Sequence, residues 1–254
     1  MASNRLSSVA NAARVLKSFS SSQPVWGVTE LARHLDLSTS TAHRLLSTLT
    51  DEGVLDQDLE TGQYRLGLSI FDLAAAAPTQ RSLHEAALVS MTELRSRTGE
   101  TVQVGVLDGR QVVYVERLDS PHTLRVFSEM GRRNDAHCTS TGKVLLAHAP
   151  AAHRDRLLRG WTLPRQTEHT ITVEADLRSE LQRIRRRGFA ENRQESELGV
   201  VSIAAPVRDA SGSVVAAMSL AGPSERVDPH RNEYAEMVVR LTATISKHMG
   251  WQRR

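Results

Sequence analysis

Cysteine is nearly absent. The one thiol of the chain, Cys138, rules out a disulfide within it and suits a reducing compartment. No apolar run approaches the ~20 residues needed to span a bilayer. The N-terminus, with Arg5 among serines and alanines, lacks the apolar core of a signal peptide, so a cytoplasmic protein with no membrane partner is expected. A metal signature is missing too. Of ten histidines, including His137, His148, His153 and His169, no pair has a recognised metal-site spacing with partner carboxylates, and neither a metal nor another cofactor is expected. Nor does charge of one sign dominate, since a net +3 names no partner. Its distribution is uneven: residues 1–50 carry five Lys/Arg against two Asp/Glu, residues 51–80 one against six, and residues 81–254 twenty-six against twenty-one.

What is present is enough chain, 254 residues at 40% hydrophobic and 24% charged, for one large domain or for a small one followed by a medium one. The punctuation favours the second division: a head over 1–67, a linker helix over 68–80, and a larger domain over 81–254.

The head carries the clearest pattern. Residues 29–35 predict a helix whose free N-terminal amides Thr29 would cap, and Asp36 and Leu37 make a turn. A second helix from about Ser38 places Ala42, Leu45, Leu46 and Leu49 on one buried stripe. Its other face carries Thr39, Ser40, His43, Arg44 and Ser47, short hydrogen-bonding groups around one cation, which suit phosphates and base edges in a major groove. Gly53 supplies a left-handed stop. Val54 and Leu55, then Tyr64, Arg65 and Leu66, flank a polar loop over 56–63 and predict a two-stranded wing with Gln63 and Arg65 near its tip or inner edge. An earlier helix offers Val9, Ala12, Ala13, Leu16 and Phe19 as a third wall of the core. One amphipathic helix alone is only a solvated helix; the three together read as a winged helix-turn-helix, with Thr29, Ser38, Thr39, Ser40, His43, Arg44, Ser47, Gln63 and Arg65 as the DNA-binding set. A winged helix that binds a protein stays open. The head is slightly acidic overall, so DNA binding would rely on a local basic face, dimerisation and phosphate hydrogen bonds.

Leu68, Ile70, Phe71 and Leu73, followed by Ala74 to Ala77, predict a short helix that Pro78 ends. Its apolar residues cover so much of its surface that packing against a second copy of the chain is expected. Beyond it, 83–97 reads as a long amphipathic helix closed by Gly99. Val102, Val104 and Val106 then alternate with Gln103 and Gly105, Asp108-Gly109 turns the chain, and 112–115 runs back. A third strand is expected over 123–127. Helices follow at about 141–148, 152–159 and 174–187, a hairpin pairs 200–207 with 214–220, and a last helix spans about 231–249. This is an α+β domain, a sheet with helices packed on it, large enough to enclose a ligand pocket.

At this point specific motifs stand out. Residues 38–46 read Ser-Thr-Ser-Thr-Ala-His-Arg-Leu-Leu, 64–67 Tyr-Arg-Leu-Gly, and 137–147 His-Cys-Thr-Ser-Thr-Gly-Lys-Val-Leu-Leu-Ala. Arg-Gly-Phe-Ala (187–190), Glu195 with Gly199, Ser-Ile-Ala-Ala-Pro-Val (202–207) and Ala-Gly-Pro (221–223) follow in order. In this order and spacing the chain resembles the IclR-type bacterial transcriptional regulators, from residue 9 to about 249. The resemblance implies a GAF-like effector-binding domain behind the head, homodimers or homotetramers, a pseudo-palindromic double-stranded DNA operator, and operator affinity set by a small organic acid. It implies that the acid meets backbone amides at Ser140 and Thr141, in keeping with the affinity of helix starts for anions. Asn192, Ser202 and Ser219 fall on other polar pocket positions, and Thr123, Val126, Met130 and Val200 on wall positions. The chain departs from the pattern at Arg132-Arg133-Asn134-Asp135, where many relatives have an apolar residue and a proline, and at Ala221, where some have serine; the pocket mouth is therefore more polar than usual. Aliphatic 2-oxo acids and aromatic acids both fit, with the aromatic class slightly favoured because Val126, Met130 and Val200 can flank a flat ring.

Two other readings compete for the same residues. His137-Cys138 beside a helix start could be a base and its nucleophile, which would make the chain a small-acid enzyme with the winged helix as an interaction module. Adjacent residues seldom align for that transfer, and a small buried cysteine is the commoner case. The run Arg183, Arg185, Arg186, Arg187 could grip nucleic acid, but it ends a helix, where solvated cations offset the dipole.

Overall fold

The computed structural model describes residues 6–20, 22–75, 78–126 and 133–252. The chain divides into two compact units, Met1–Gln80 and Arg81–Arg254. In the first, α1 (Ser7–Lys17), β1 (Val25–Trp26), α2 (Val28–Leu35) and α3 (Thr39–Asp51) precede a wing of β2 (Leu55–Gln57) and β3 (Tyr64–Leu66), after which comes α4 (Ser69–Ala75). The order β1-β3-β2 makes a three-stranded antiparallel sheet. Val15, Trp26, Leu31, Leu35, Leu46, Leu55 and Tyr64 form its core, with Leu45 and Leu49 half-buried against it. Asp36 turns the chain between α2 and α3 in a left-handed conformation (φ 54°), one of the few non-glycine types that adopt it readily.

Two expectations for the head need correction, and one for the linker falls partly outside the described residues. Thr29 does not cap α2. The helix begins one residue earlier, at Val28, because that side chain packs against the core, and Gly27 in extended conformation is the capping position, without a side-chain bond. From α1 the buried residue is Val15, while Val9 and Ala13 are exposed, so the apolar wall is narrower than the sequence pattern suggests. Of the expected linker helix, α4 covers Ser69–Ala75, Ala76 and Ala77 lie outside the described residues, and Pro78 is the first residue of α5.

The second unit is one six-stranded antiparallel sheet with helices on both faces. Its elements are α5 (Pro78–Thr98, entering from the first unit), β4 (Thr101–Asp108), β5 (Gln111–Leu118), β6 (Arg133–Asp135), α6 (Ser140–His148), α7 (Ala151–Leu158), α8 (Glu174–Arg187), β7 (Ala190–Arg193), β8 (Val200–Arg208), β9 (Val214–Pro223), the short α9 (Ser224–Val227) and α10 (Arg231–His248). The strand order is β6-β5-β4-β9-β8-β7. Period-two alternation sorts the side chains. Val102, Val104, Val201, Ile203, Val207, Met218 and Leu220 pack with α5 and α10 on one face. Val112, Tyr114, Ala190, Ala204 and Ala217 pack with α6 and α8 on the other. On that second face the strands also carry Gln103, Asn192, Ser202 and Ser219, all buried, and these polar positions mark where the sheet stops being pure core. This is the N-terminal winged helix-turn-helix, linker helix and C-terminal GAF-like arrangement expected.

The expected strand over 123–127 does not form in its described part, residues 123–126, and Phe127 lies outside the described residues. Side chains take the backbone there out of the ladder: Ser120 Oγ accepts from the His122 amide at 3.2 Å, and Arg117 donates to the Val126 carbonyl at 2.9 Å. The edge strand is β6 instead, paired with β5.

Candidate functional site

Ser38 caps α3, its hydroxyl accepting from the Thr41 amide at 3.1 Å. That bond, worth about 1 kcal/mol, fixes where the helix starts and which residues face out. Thr39, Ser40, His43 and Arg44 are exposed and Ser47 is half-buried, an uninterrupted polar face opposite Ala42 and Leu46. Thr29 is exposed in the first turn of α2. The wing is less free than its sequence suggests. Arg65 is held by Asp56 across β2 and β3 at 3.1 Å, Gln63 is half-buried, and the tip is a turn in which Asp58 accepts from the amides of Glu60 and Thr61. Those amides hold the Asp58 carboxyl below its usual range. The wing therefore offers an anion and the exposed Leu59 at its tip, and its arginine is already partnered.

The second unit encloses a cavity of about 280 Å³ between the sheet and the start of α6. Gln103, Tyr114, Ser202 and Ala221 reach it from the sheet, Asn192 from β7, and Asn134 and Asp135 from β6. Cys138 and Thr139 line it where the chain enters α6, and Ser196 and Glu197 line it from the turn after β7. Thr139 caps α6 through the Gly142 amide at 3.1 Å; the amides of Ser140 and Thr141, in the first helical turn, have no acceptor within the helix. Free first-turn amides and the positive end of the helix dipole favour a carboxylate beside them.

Of the residues expected here, Val126, Asn192, Val200 and Ser202 line the cavity. The Ser140 and Thr141 side chains do not. Ser140 is hydrogen-bonded to Ser202 at 2.7 Å and Thr141 to Ser219 at 3.0 Å, so their hydroxyls, with that of Ser219, dock the helix on the sheet. Thr123 is exposed and is not part of the lining, and Met130 lies outside the described residues. Sequence reading missed Gln103, Tyr114 and Gln166. A polar residue inside an alternating valine strand was the available signal for Gln103. None existed for Gln166, which a distant loop brings to the rim, where it donates to Asp135 at 3.1 Å. Arg117, its side chain largely buried, links floor to wall by donating to Gln103 at 3.4 Å and to the Val126 carbonyl.

The chemistry of catalysis is not assembled around Cys138. Burial pushes its thiol up to about 12, which keeps it protonated and non-nucleophilic at neutral pH. His137 turns away from it, bonding through Nε2 to the Pro164 carbonyl at 3.0 Å and meeting Trp161 edge-on, while burial lowers its pKa. Among the described residues, no group of three His, Cys, Asp or Glu could hold a metal ion, and no helix is long and apolar enough to cross a membrane.

Comparison with known proteins matches this anatomy in both units. A family model for the C-terminal domain of the bacterial transcriptional regulator IclR matches residues 75–247, and one for the IclR helix-turn-helix domain matches residues 8–59. The HTH-type transcriptional regulator KdgR of Escherichia coli (strain K12) is 37% identical over 226 residues, 89% of this chain and 86% of that protein. XynR of the same organism, also an HTH-type transcriptional regulator, is 33% identical over 247 residues, 97% and 98% of the two chains. Among solved structures, an IclR homolog from Microbacterium hydrocarbonoxydans complexed with 4-hydroxybenzoate superposes with a TM-score of 0.85 at 28% identity, covering 95% of this chain and 98% of that one.

Proposed function

The chain belongs to the IclR family of bacterial transcriptional regulators, and from that footing we propose that it binds a pseudo-palindromic operator as a homodimer, or as a homotetramer of such dimers, under the control of a small hydroxylated organic acid. It is a DNA-binding regulator and not an enzyme. With DNA as its partner, it works in the cytoplasm. The exposed Leu68, Phe71 and Leu73 beside or on α4 support pairing with a second copy, which would hold two heads at the spacing of successive half-sites. Effector then acts by its differential affinity for the head arrangements that do and do not fit the operator.

In each head Thr39, Ser40, His43 and Arg44 enter the major groove, with Thr29, Ser38, Ser47, Gln63 and Arg65 around them. Arg44→Ala is expected to cost about 1–3 kcal/mol of operator affinity if the guanidinium contacts a base. Fluorescence anisotropy on operator and scrambled DNA at one salt concentration would measure it. Unchanged affinity and unchanged sequence preference would rule out this docking.

The observation that carries the effector reading is the cavity at the start of α6. Its lining supports one acid class over another. Gln103, Asn134, Asp135, Gln166, Asn192 and Ser202 line it; Ser202, Gln166 and Asn192 already have protein partners, and any remaining donor or acceptor that a ligand occludes without a partner costs about 1–3 kcal/mol. An aromatic acid satisfies few of them, whereas hydroxyls along an aliphatic acid donate to Asp135 and exchange hydrogen bonds with the amides. On this ground we take a hydroxylated aliphatic acid over the aromatic class that the sequence slightly favours. The aromatic reading keeps one support, that Tyr114, Val126 and Val200 can flank a ring and that a relative is complexed with 4-hydroxybenzoate. A thermal-shift screen with D-gluconate, 2-oxobutanoate and 4-hydroxybenzoate separates them. At a hundredfold excess over Kd a bound acid adds about 2.7 kcal/mol, which raises Tm by about 5–10 °C in a unit of this size. The largest shift is expected with gluconate, weakened in Gln103→Leu; a shift with 4-hydroxybenzoate alone would restore the aromatic reading, and none at all would remove acids as the effector class.

A further inference from the structure

The turn that joins β7 to β8 enters the cavity through Ser196 and Glu197, and its shape is held from inside. Gln194 is left-handed (φ 60°), its carbonyl accepting from Thr167 at 2.7 Å, and the Glu195 carbonyl accepts from Thr170 at 2.6 Å. The Glu195 amide donates to Asn192 Oδ1 at 2.7 Å, and Asn192 Nδ2 donates to Ser196 at 2.9 Å. Two contacts reach outside this local set: the Gly199 carbonyl accepts from the Ser224 amide at 2.8 Å, and the Glu195 carboxylate meets the Lys143 ammonium at 2.5 Å, with the two side chains 10% and 2% exposed. Lys143 sits in the first turn of α6, the turn that Ser202 and Ser219 dock onto the sheet.

As a contribution to stability this pair is poor. Burial pushes the Glu195 carboxyl above its ordinary range against the pull of Lys143, and its second oxygen is buried with no partner among the described residues. Buried ion pairs often stabilise no better than apolar residues of the same size. What this one does is join two elements that line the same cavity, the chain entering α6 and the 194–199 turn.

We propose that Lys143 and Glu195 are positioning residues for the effector: a buried tether that sets the distance between the start of α6 and the 194–199 turn, and thereby the fit of the cavity both of them line. This rests on reading that cavity as the effector site. A tether and a merely structural pair differ in what happens when both charges go at once. In Lys143→Met/Glu195→Gln no charge is left buried alone, so the fold should persist with a Tm close to wild type, while the turn loses its anchor. Hydrogen exchange of the full-length protein should then quicken by about tenfold within residues 193–200 and stay unchanged in α8 and α10. Titration with D-gluconate and with 4-hydroxybenzoate should show the bound acid held about tenfold more weakly. Glu195→Asp, which keeps both charges on a shorter arm, should weaken binding without a fall in Tm.

Wild-type exchange over 193–200 in the double variant overturns the tether, and so does wild-type acid affinity in either variant. Should the double variant fail to fold, the pair is structural and the proposal fails. If the wild-type protein binds neither acid, the effector reading for those acids falls, and the exchange measurement still decides the tether on its own.

Discussion

Alanine at Gly142 is expected to unfold the second unit at temperatures where the wild-type protein is stable. A Cβ there would lie 2.3 Å from both the Cα and the carbonyl oxygen of Ala136 and 2.7 Å from its carbonyl carbon. All three are backbone atoms, so no side-chain rotation relieves the clash. Ala136 cannot withdraw easily either, since it is fully buried and its amide donates to the Arg110 carbonyl at 2.9 Å. The helix is equally committed, through the Thr139 cap and the Ser140–Ser202 and Thr141–Ser219 bonds. Relief would require the first turn of α6 to lift off the sheet and break those bonds. Overpacking of this kind costs about 3 kcal/mol at the upper end of its usual range, a Tm fall of about 6–12 °C for a unit of this length. Calorimetry should show the transition of the second unit moving down, with acid binding lost even below it. A Tm within a degree or so of wild type would mean that α6 is far less tightly seated than these distances require.

The same seat explains what could and could not be read from the sequence. The alternation of Val102, Val104 and Val106 and the run 200–207 announced strands because each has one face in a core, and Ser38 announced α3 because a hydroxyl before an apolar stripe has a mechanical reason to be there. Two-residue β1 was not legible: Val25 and Trp26 pair with β3 over too short a span to show any period. Edge strand β6, Arg-Asn-Asp, has no strand composition and exists because the rim of β5 offers unpaired groups. The candidate site divided along a similar line. Asn192 and Ser202, on strands facing α6, are implied by the family resemblance, and both line the cavity. The resemblance places the backbone amides of Ser140 and Thr141 and the residue Ser219 at the pocket; which way their hydroxyls turn depends on the partner across the sheet, and a single sequence does not show that partner. Arg65 was assigned to DNA on its charge, and only the pairing of β2 with β3 reveals Asp56 beside it.

Arg226→Ala should destabilise the second unit by at least as much, for an electrostatic reason. Glu100, at the entrance to β4, is 1% exposed, and both its carboxylate oxygens accept from Arg226, at 2.6 and 2.8 Å. Gly222 lies so close behind the carboxylate that a Cβ there would sit 2.3 Å from Oε2, which leaves the group no room to turn. Without the guanidinium the carboxylate stays buried and unpaired, a loss of about 3–5 kcal/mol; the lower figure is the better expectation, because Arg226 itself is 32% exposed and part of the pair's attraction is screened. One comparison identifies the cause. Arg226→Met combined with Glu100→Gln removes the charge with the cation and should recover most of the lost Tm. A double variant no more stable than Arg226→Ala would assign the effect to lost packing. Arg226 also donates to the Leu124 carbonyl at 3.0 Å, two residues before Val126 on the cavity wall, so the variant should bind acid more weakly even at temperatures where it is fully folded.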